Sequence, residues 1–215
     1  MTWIAALATI AVLLLYELVL VLAQRRAPLR LARSAHATLR QDWFAAISAQ
    51  KGSEILAVQT LRNALMAATM TASTAALGLI GTVTLTSPSL HAGFGDASGM
   101  ATLTPRLALE LVLMALLFAS LVSSAMAVRY YNHAGFIAGM PVDADVRRRW
   151  AGAGSLYVRR AGILYSWGLR HLILVAPILA SILHAAAGPV AALVLVAVLF
   201  RIDRVAEEQA LQGSE

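Results

Sequence analysis

Four long apolar runs alternate along the chain with shorter polar and basic segments. A bilayer core of about 30 Å is crossed by roughly 20 apolar residues in a helix that rises about 1.5 Å per residue. Each run reaches that length with almost no formal charge, and the runs are Trp3–Ala23, Ala64–Leu85, Leu107–Val128 and Leu172–Phe200. The pattern predicts an all-α membrane protein, a single domain over 1–215. Its predicted transmembrane helices are about 3–23, 62–85, 106–128 and 171–200.

Two polar segments, 24–61 and 129–170, are predicted to be helical and cytoplasmic. After a break at Pro28, the apolar positions that recur at a spacing of four are Leu31, Ala35, Leu39, Trp43 and Ile47. This spacing predicts an amphipathic helix over 31–50 that lies on lipid headgroups or beneath the bundle. We expect Ser53 to cap the N-terminus of the next helix, which begins near Glu54.

Helix-breaking residues predict a loop at 86–105 and an interrupted helix after Asp143. Residues 86–105 are rich in Pro, Gly, Ser and Thr, which predicts an exposed loop. Asp143 or Asp145 is predicted to start a short basic helix that Gly152 and Gly154 interrupt.

The last apolar block has two interpretations. Its 29 residues would form a straight helix of about 43 Å, too long for one upright span and too short for two. Pro177 and Gly188-Pro189 lie inside it. We favour one tilted span that is kinked at the prolines. The alternative is a re-entrant hairpin that turns near Gly188-Pro189 and returns the C-terminus to the cytoplasm.

The distribution of charge predicts the orientation. The chain is 60% hydrophobic, 13% charged and carries a net charge of +6. Residues 24–63 and 129–170 each carry seven bases against two acids, whereas 86–105 carry one acid and no base. Because basic loops stay in the cytoplasm, the N-terminus is predicted to lie outside. We interpret the basic excess as an attraction to anionic lipid headgroups and expect no nucleic-acid partner.

The second span carries an unusual polar face. On a helical wheel, one side and its flank hold Arg62, Met66, Thr69, Ser73, Ile80 and Thr84, with Asn63, Met70, Thr74 and Gly81. Since lipid tails gain nothing from hydroxyl groups, this face is predicted to meet other helices or a wet cavity. The candidate pore or gate residues are Thr69, Ser73, Thr74, Thr84 and, as a proton or cation site in the first span, Glu17. A structural pair between Glu17 and an arginine is the alternative.

A second candidate site is a group of charged residues at the inner ends of the spans. Arg62, Arg129 and Arg170 are expected at one cytoplasmic level, near Asn63, Asn132 and Asp42. The cluster has two interpretations. The arginines could bind lipid phosphates and pair with acids, or they could form a ring of guanidinium groups at an inner vestibule.

Several short motifs in sequence order carry a resemblance. They are His36-Ala-Thr-Leu-Arg40-Gln-Asp42-Trp43, Arg62-Asn63, Ala72-Ser73-Thr74, Arg129-Tyr-Tyr-Asn132, Pro141, Gly168-Leu-Arg170 and Pro189. Over about 5–205 the chain resembles the bacterial family called domain of unknown function 599, an integral membrane family of about four spans. The resemblance implies the fold and a bacterial inner membrane, and it implies no reaction.

Enzyme signatures are absent from the sequence. There is no cysteine, no H-E-x-x-H, no P-loop and no histidine spacing typical of a metal site. We therefore expect no enzyme and no cofactor. The sequence favours a homo-oligomeric channel or transport protein, with an ion path beside the second span and the arginine cluster at its cytoplasmic mouth. The alternative is a non-conducting membrane scaffold or a subunit of a larger complex.

Overall fold

The computed structural model describes residues 3–26, 32–94 and 103–212, with side chains over 3–23, 36–93 and 103–202. These residues form six helices and no strand: α1 Trp3–Arg26, α2 Ala32–Ala49, α3 Glu54–Phe94, α4 Pro105–Ala138, α5 Asp145–Leu183 and α6 Ala187–Gln212. Helices α1, α3, α4 and α5 are long and apolar enough to cross a bilayer, and the apolar part of α6 is shorter. The predicted all-α membrane fold is confirmed.

Helix α4 holds the bundle together, because it packs along both α3 and α5. Helix α2 lies against α5, and we call the end of the bundle that carries it the α2 end. The core has one cluster at this end, around Phe44, Tyr131 and Val158, and a second cluster around Leu113 and Ile178. Large apolar side chains also cover the outside of the bundle, as a surface in contact with lipid requires.

Helix α5 is continuous, so the prediction of a short basic helix interrupted by glycines is wrong. The helix begins at Asp145, and neither predicted break interrupts it, since Gly154 is a contact point and Gly152 lies in open space. Gly154 lies against Phe44 and Ile137, and Gly162 lies beneath the side chain of Arg40. A side chain at Gly154 would overlap the ring of Phe44 and push α2 away from α5, whereas at Gly162 the end of the Arg40 side chain would have to move.

The last apolar block forms two helices, so the favoured single kinked span is wrong. Helix α5 ends at Leu183, and α6 begins at Ala187. The second helix packs against α1 and α5 and also reaches α2, so it runs back toward the α2 end. Pro177 stays inside α5, while Pro189 lies in the first turn of α6, where its missing N–H leaves no helical bond unmade. The structure therefore shows a helical hairpin, which is the alternative interpretation, and its turn lies at 184–186, just before Gly188-Pro189.

The junction between α2 and α3 differs from the expected cap. The Ser53 hydroxyl lies 2.7 Å from the Ile47 carbonyl and 2.6 Å from the Gln50 carbonyl, so it binds the end of α2. Gly52 makes the turn with a φ of +84°, which favours glycine.

The predicted loop at 86–105 and the predicted apolar stripe of α2 agree with the structure only in part. The first part of the predicted loop 86–105 is helical, because α3 continues through Pro88 to Phe94. The part at 95–102 lies outside the described residues, as does the break at Pro28. On α2 the buried residues are Ala37, Phe44 and Ile47, whereas Leu39 of the predicted apolar stripe is 65% exposed.

Candidate functional site

The polar face of α3 lies on the outer surface of the chain. Its exposed residues are Arg62, Asn63, Met66, Thr69, Met70, Ser73, Thr74, Ile80, Gly81 and Thr84. The hydroxyls of Thr69, Thr74 and Thr84 donate to the carbonyls four residues earlier, at 2.9, 2.9 and 3.0 Å. Each hydroxyl proton is therefore used within the helix, and the oxygen retains lone pairs that can accept a hydrogen bond from water.

The opposite side of α3 explains why this face is left outside. Ala68 and Ala75 are fully buried, and a Cβ at Gly78 would lie 3.1 Å from the Leu117 side chain. Small residues thus bring α3 close to α4. Because the α4 side of the helix is occupied, the Thr and Ser face is available to lipid or to another molecule.

A groove at the α2 end brings two residues of the predicted charge cluster together. Arg62 of α3 and Asn132 of α4 line a cavity of about 370 Å³, together with Tyr131 and Phe136. Arg62 and Asn132 are exposed, while Tyr131 is buried in the core behind them. The groove therefore has a charged rim and an aromatic base.

Arg170 does not join this group. It is buried, and its guanidinium carbon lies 5.4 Å from the ring centroid of Tyr16 on α1, a cation–π contact. Glu17 is half-buried on the same turn of α1, which packs against α4, α5 and α6. The structure thus places Glu17 next to the residue that contacts Arg170, on a helix that packs against α4, α5 and α6 rather than on the hydroxyl face of α3.

The register of α4 against α5 corrects the expectation that the three arginines lie at one level. Gly168 lies against Ser120 and Ser124, and the Ser120 hydroxyl donates to the Gly168 carbonyl at 2.7 Å. Arg170 is therefore roughly two and a half helical turns, about 14 Å, further into the bundle than Arg129. A simple count of apolar residues places Arg170 at a helix end because the apolar run begins at Leu172, whereas α5 already begins at Asp145.

The remaining members of the predicted cluster are dispersed. Asn63, Arg129 and Asp42 are all exposed, on α3, α4 and α2 respectively. Of the six residues, the shared cavity joins Arg62 with Asn132.

Sequence reasoning missed Arg147, which is 2% exposed. Its Nη1 donates to the carbonyl of Ala138 at 2.6 Å and to that of Met140, and thereby satisfies the C-terminal end of α4. The run of three arginines resembled a solvated basic face. The burial of Arg147 could have been predicted from helical spacing, because Arg147 shares one face of α5 with the buried residues Gly154 and Val158.

Comparison with known proteins identifies the family without adding a function. Searches of curated proteins and of solved structures gave no match. A family model does match, over residues 4–208, and its description is protein of unknown function, DUF599. Since the match covers nearly the whole chain, the protein belongs to the DUF599 family.

Proposed function

We propose that the protein is a homo-oligomeric membrane channel or transport protein in which the polar face of α3 borders an ion path between subunits. One observation carries the proposal. The hydroxyl side chains Thr69, Ser73, Thr74 and Thr84 lie exposed along the outer side of a helix long enough to cross a bilayer. A second copy or water satisfies this face better than acyl chains do.

The hydroxyl oxygens would provide the polar lining of the path. Thr69 and Ser73 lie on the same side of α3 as Arg62, so an ion moving along this face passes from hydroxyl oxygens to guanidinium groups. A ring of Arg62 side chains, one from each subunit, would attract anions and repel cations at the mouth. In this arrangement Glu17 lies on α1, apart from the path, and has a structural role within the helix bundle.

We also propose how the bundle is oriented in the membrane. With the basic α2 end in the cytoplasm, the N-terminus lies outside and the Arg62–Asn132 groove faces the cytoplasm. The membrane is then the bacterial inner membrane, whose anionic lipids meet the basic segments. No catalytic role is part of the proposal.

A non-conducting scaffold is the second candidate, and the hydroxyl bonds within α3 favour it. Threonine hydroxyls that already donate to their own helix can pack dry against another copy at little cost. The scaffold requires the same contact between subunits but no ion flux.

Because the natural chain contains no cysteine, cross-linking gives a direct test of the contact. We expect Ser73→Cys to form cross-linked dimers in native membranes with a short bis-maleimide. Ala11→Cys, at an exposed position on α1, is the matched control and should remain monomeric. Equal cross-linking of the two variants would exclude α3 as the interface.

Ion flux separates the channel from the scaffold. In proteoliposomes, Thr69→Leu or Ser73→Leu should reduce flux by about tenfold or more, because a bulky apolar side chain narrows and dries the path. Ala11→Leu adds similar volume on α1 and should leave flux unchanged. Cross-linking through residue 73 without flux in the unmodified protein would favour the scaffold.

A further inference from the structure

A cavity of about 410 Å³ opens at the α2 end, between α2 and the first turns of α5. Ser48 from α2 and Val142, Arg147 and Arg148 from the α4–α5 region are among its lining residues. The cavity lies apart from the α3 face, so its interpretation does not depend on whether the protein conducts ions.

Arg147 is among the residues that line this cavity, and its guanidinium has donors without a partner. Its Nη1 is engaged by the end of α4, whereas Nε and Nη2 are buried and have no hydrogen-bond partner. Nε–H and Nη2–H form one edge of the guanidinium fork, the edge that binds two oxygens of a phosphate or carboxylate in parallel. The buried Ser48 hydroxyl also lacks a partner and supplies a third donor.

The backbone adds to the positive potential. Helix α5 starts beside the cavity, and Ala144 at its N-cap offers no side chain to the first-turn N–H groups. The N-terminus of a 39-residue helix carries a partial positive charge that favours anions. A tetrahedral oxyanion uses all of these donors, whereas a carboxylate uses only two oxygens.

The acidic groups around the cavity are already engaged. Asp143 pairs with Lys51 at 2.6 Å, and Asp145 pairs with Arg148. Glu54 interacts electrostatically with Arg147, but its Oε1 accepts from the Val142 N–H at 3.3 Å. None of the three carboxylates has a hydrogen bond with the free edge of Arg147.

We infer that the Arg147 edge, the Ser48 hydroxyl and the start of α5 form a binding site for a phosphate group, carried by inorganic phosphate or by an anionic phospholipid. The free edge is shielded from bulk water, so a small movement of the lining side chains admits the anion. Once bound, the phosphate joins α2 to the α4–α5 turn and should stabilise the α2 end.

Thermal unfolding of the purified chain tests the site, because a ligand that binds only the folded state raises the unfolding midpoint. One arm titrates inorganic phosphate in non-ionic detergent at constant ionic strength. The other arm compares nanodiscs of phosphatidylcholine with nanodiscs that also contain phosphatidylglycerol. A rise with phosphate indicates a soluble anion as the source, and a rise only with phosphatidylglycerol indicates the lipid headgroup.

Two pairs of variants locate the response. Ala45→Glu places a carboxylate at the cavity and should abolish it, whereas Ala46→Glu, next to it on α2 and outside the lining, should retain it. Arg147→Lys keeps the charge but loses the paired edge, so it should need about tenfold more phosphate. Arg149→Lys, exposed on α5, should respond as the natural chain does.

Two results would overturn the inference. One is that neither probe raises the midpoint of the natural chain. The other is that Ala45→Glu and Ala46→Glu respond alike. If Arg147→Lys fails to fold, the two alanine variants still decide the question, since they leave Arg147 in place.

Discussion

At the scale of single residues, small side chains on α5 determine how closely its neighbours approach. Gly154 accommodates Phe44, and Gly168 accommodates Ser120 and Ser124. Inside the membrane, where hydrophobicity does not drive helices together, close contacts such as that of Gly168 contribute to helix association. The same helix also contains Gly152, which has open space around it.

We expect Gly168→Ala to destabilise the protein by about 1–3 kcal/mol, because the new methyl group would overlap the Ser124 hydroxyl. Thermal unfolding in detergent measures the effect. Gly152→Ala is the matched control and should be neutral or stabilising by up to about 1 kcal/mol, since alanine is the better helix former. Equal midpoints for the two variants would contradict this role of Gly168.

At the scale of elements, the α5–α6 hairpin is the feature with the largest consequence for topology. A single kinked span would leave the two ends of the last apolar block on opposite sides of the membrane. The hairpin brings the end of α6 back toward α2, and Gly188 fits within van der Waals contact of Ser181 and Thr9 at the turn. Close packing at that corner fixes the direction in which α6 returns.

Cysteine labelling with a membrane-impermeant maleimide can distinguish the two topologies. Ile202→Cys should react from the same side of the membrane as Gln50→Cys, and His184→Cys should react from the opposite side. All three positions are exposed. Labelling of Ile202→Cys and Gln50→Cys from opposite sides would support the single kinked span instead.

At the scale of the whole molecule, the surfaces of the bundle differ in chemistry. Most of the outside carries large apolar side chains such as Leu85 and Leu183, which suit lipid. The polar face of α3 interrupts this surface, and the exposed Arg62 lies at its α2 end. If copies assemble around that face, their guanidinium groups add to one electrostatic field at the mouth of the path.

We therefore expect Arg62→Glu to shift the ion selectivity of the proposed channel from anions toward cations. In proteoliposomes under a KCl gradient, the reversal potential should change sign, because the ring of charge at the mouth is inverted. Arg149→Glu makes the same charge change at an exposed position on α5 and should leave the potential unchanged. A similar response from both variants would mean that overall charge, rather than the mouth, sets selectivity.

The sequence alone determined the class of the protein and which residues share the polar face of α3, whereas the structure placed that face on the outer surface of the chain. A long run of apolar residues crosses lipid most readily as a helix that satisfies its own backbone, so the first three spans could be predicted from length and charge. The positions of Thr69 and Ser73 relative to Arg62 follow from helical periodicity, which is a local property.

Only the tertiary structure decided what depends on contacts between distant segments. The local sequence does not distinguish a glycine that breaks a helix from one that allows close packing, so the role of Gly154 was decided by the packing of Phe44 against it. The burial of Arg147 has the same origin, because the carbonyls that it binds belong to the end of α4. Periodicity fixes the direction of a side chain around its own helix, but which partner it meets depends on the register between helices.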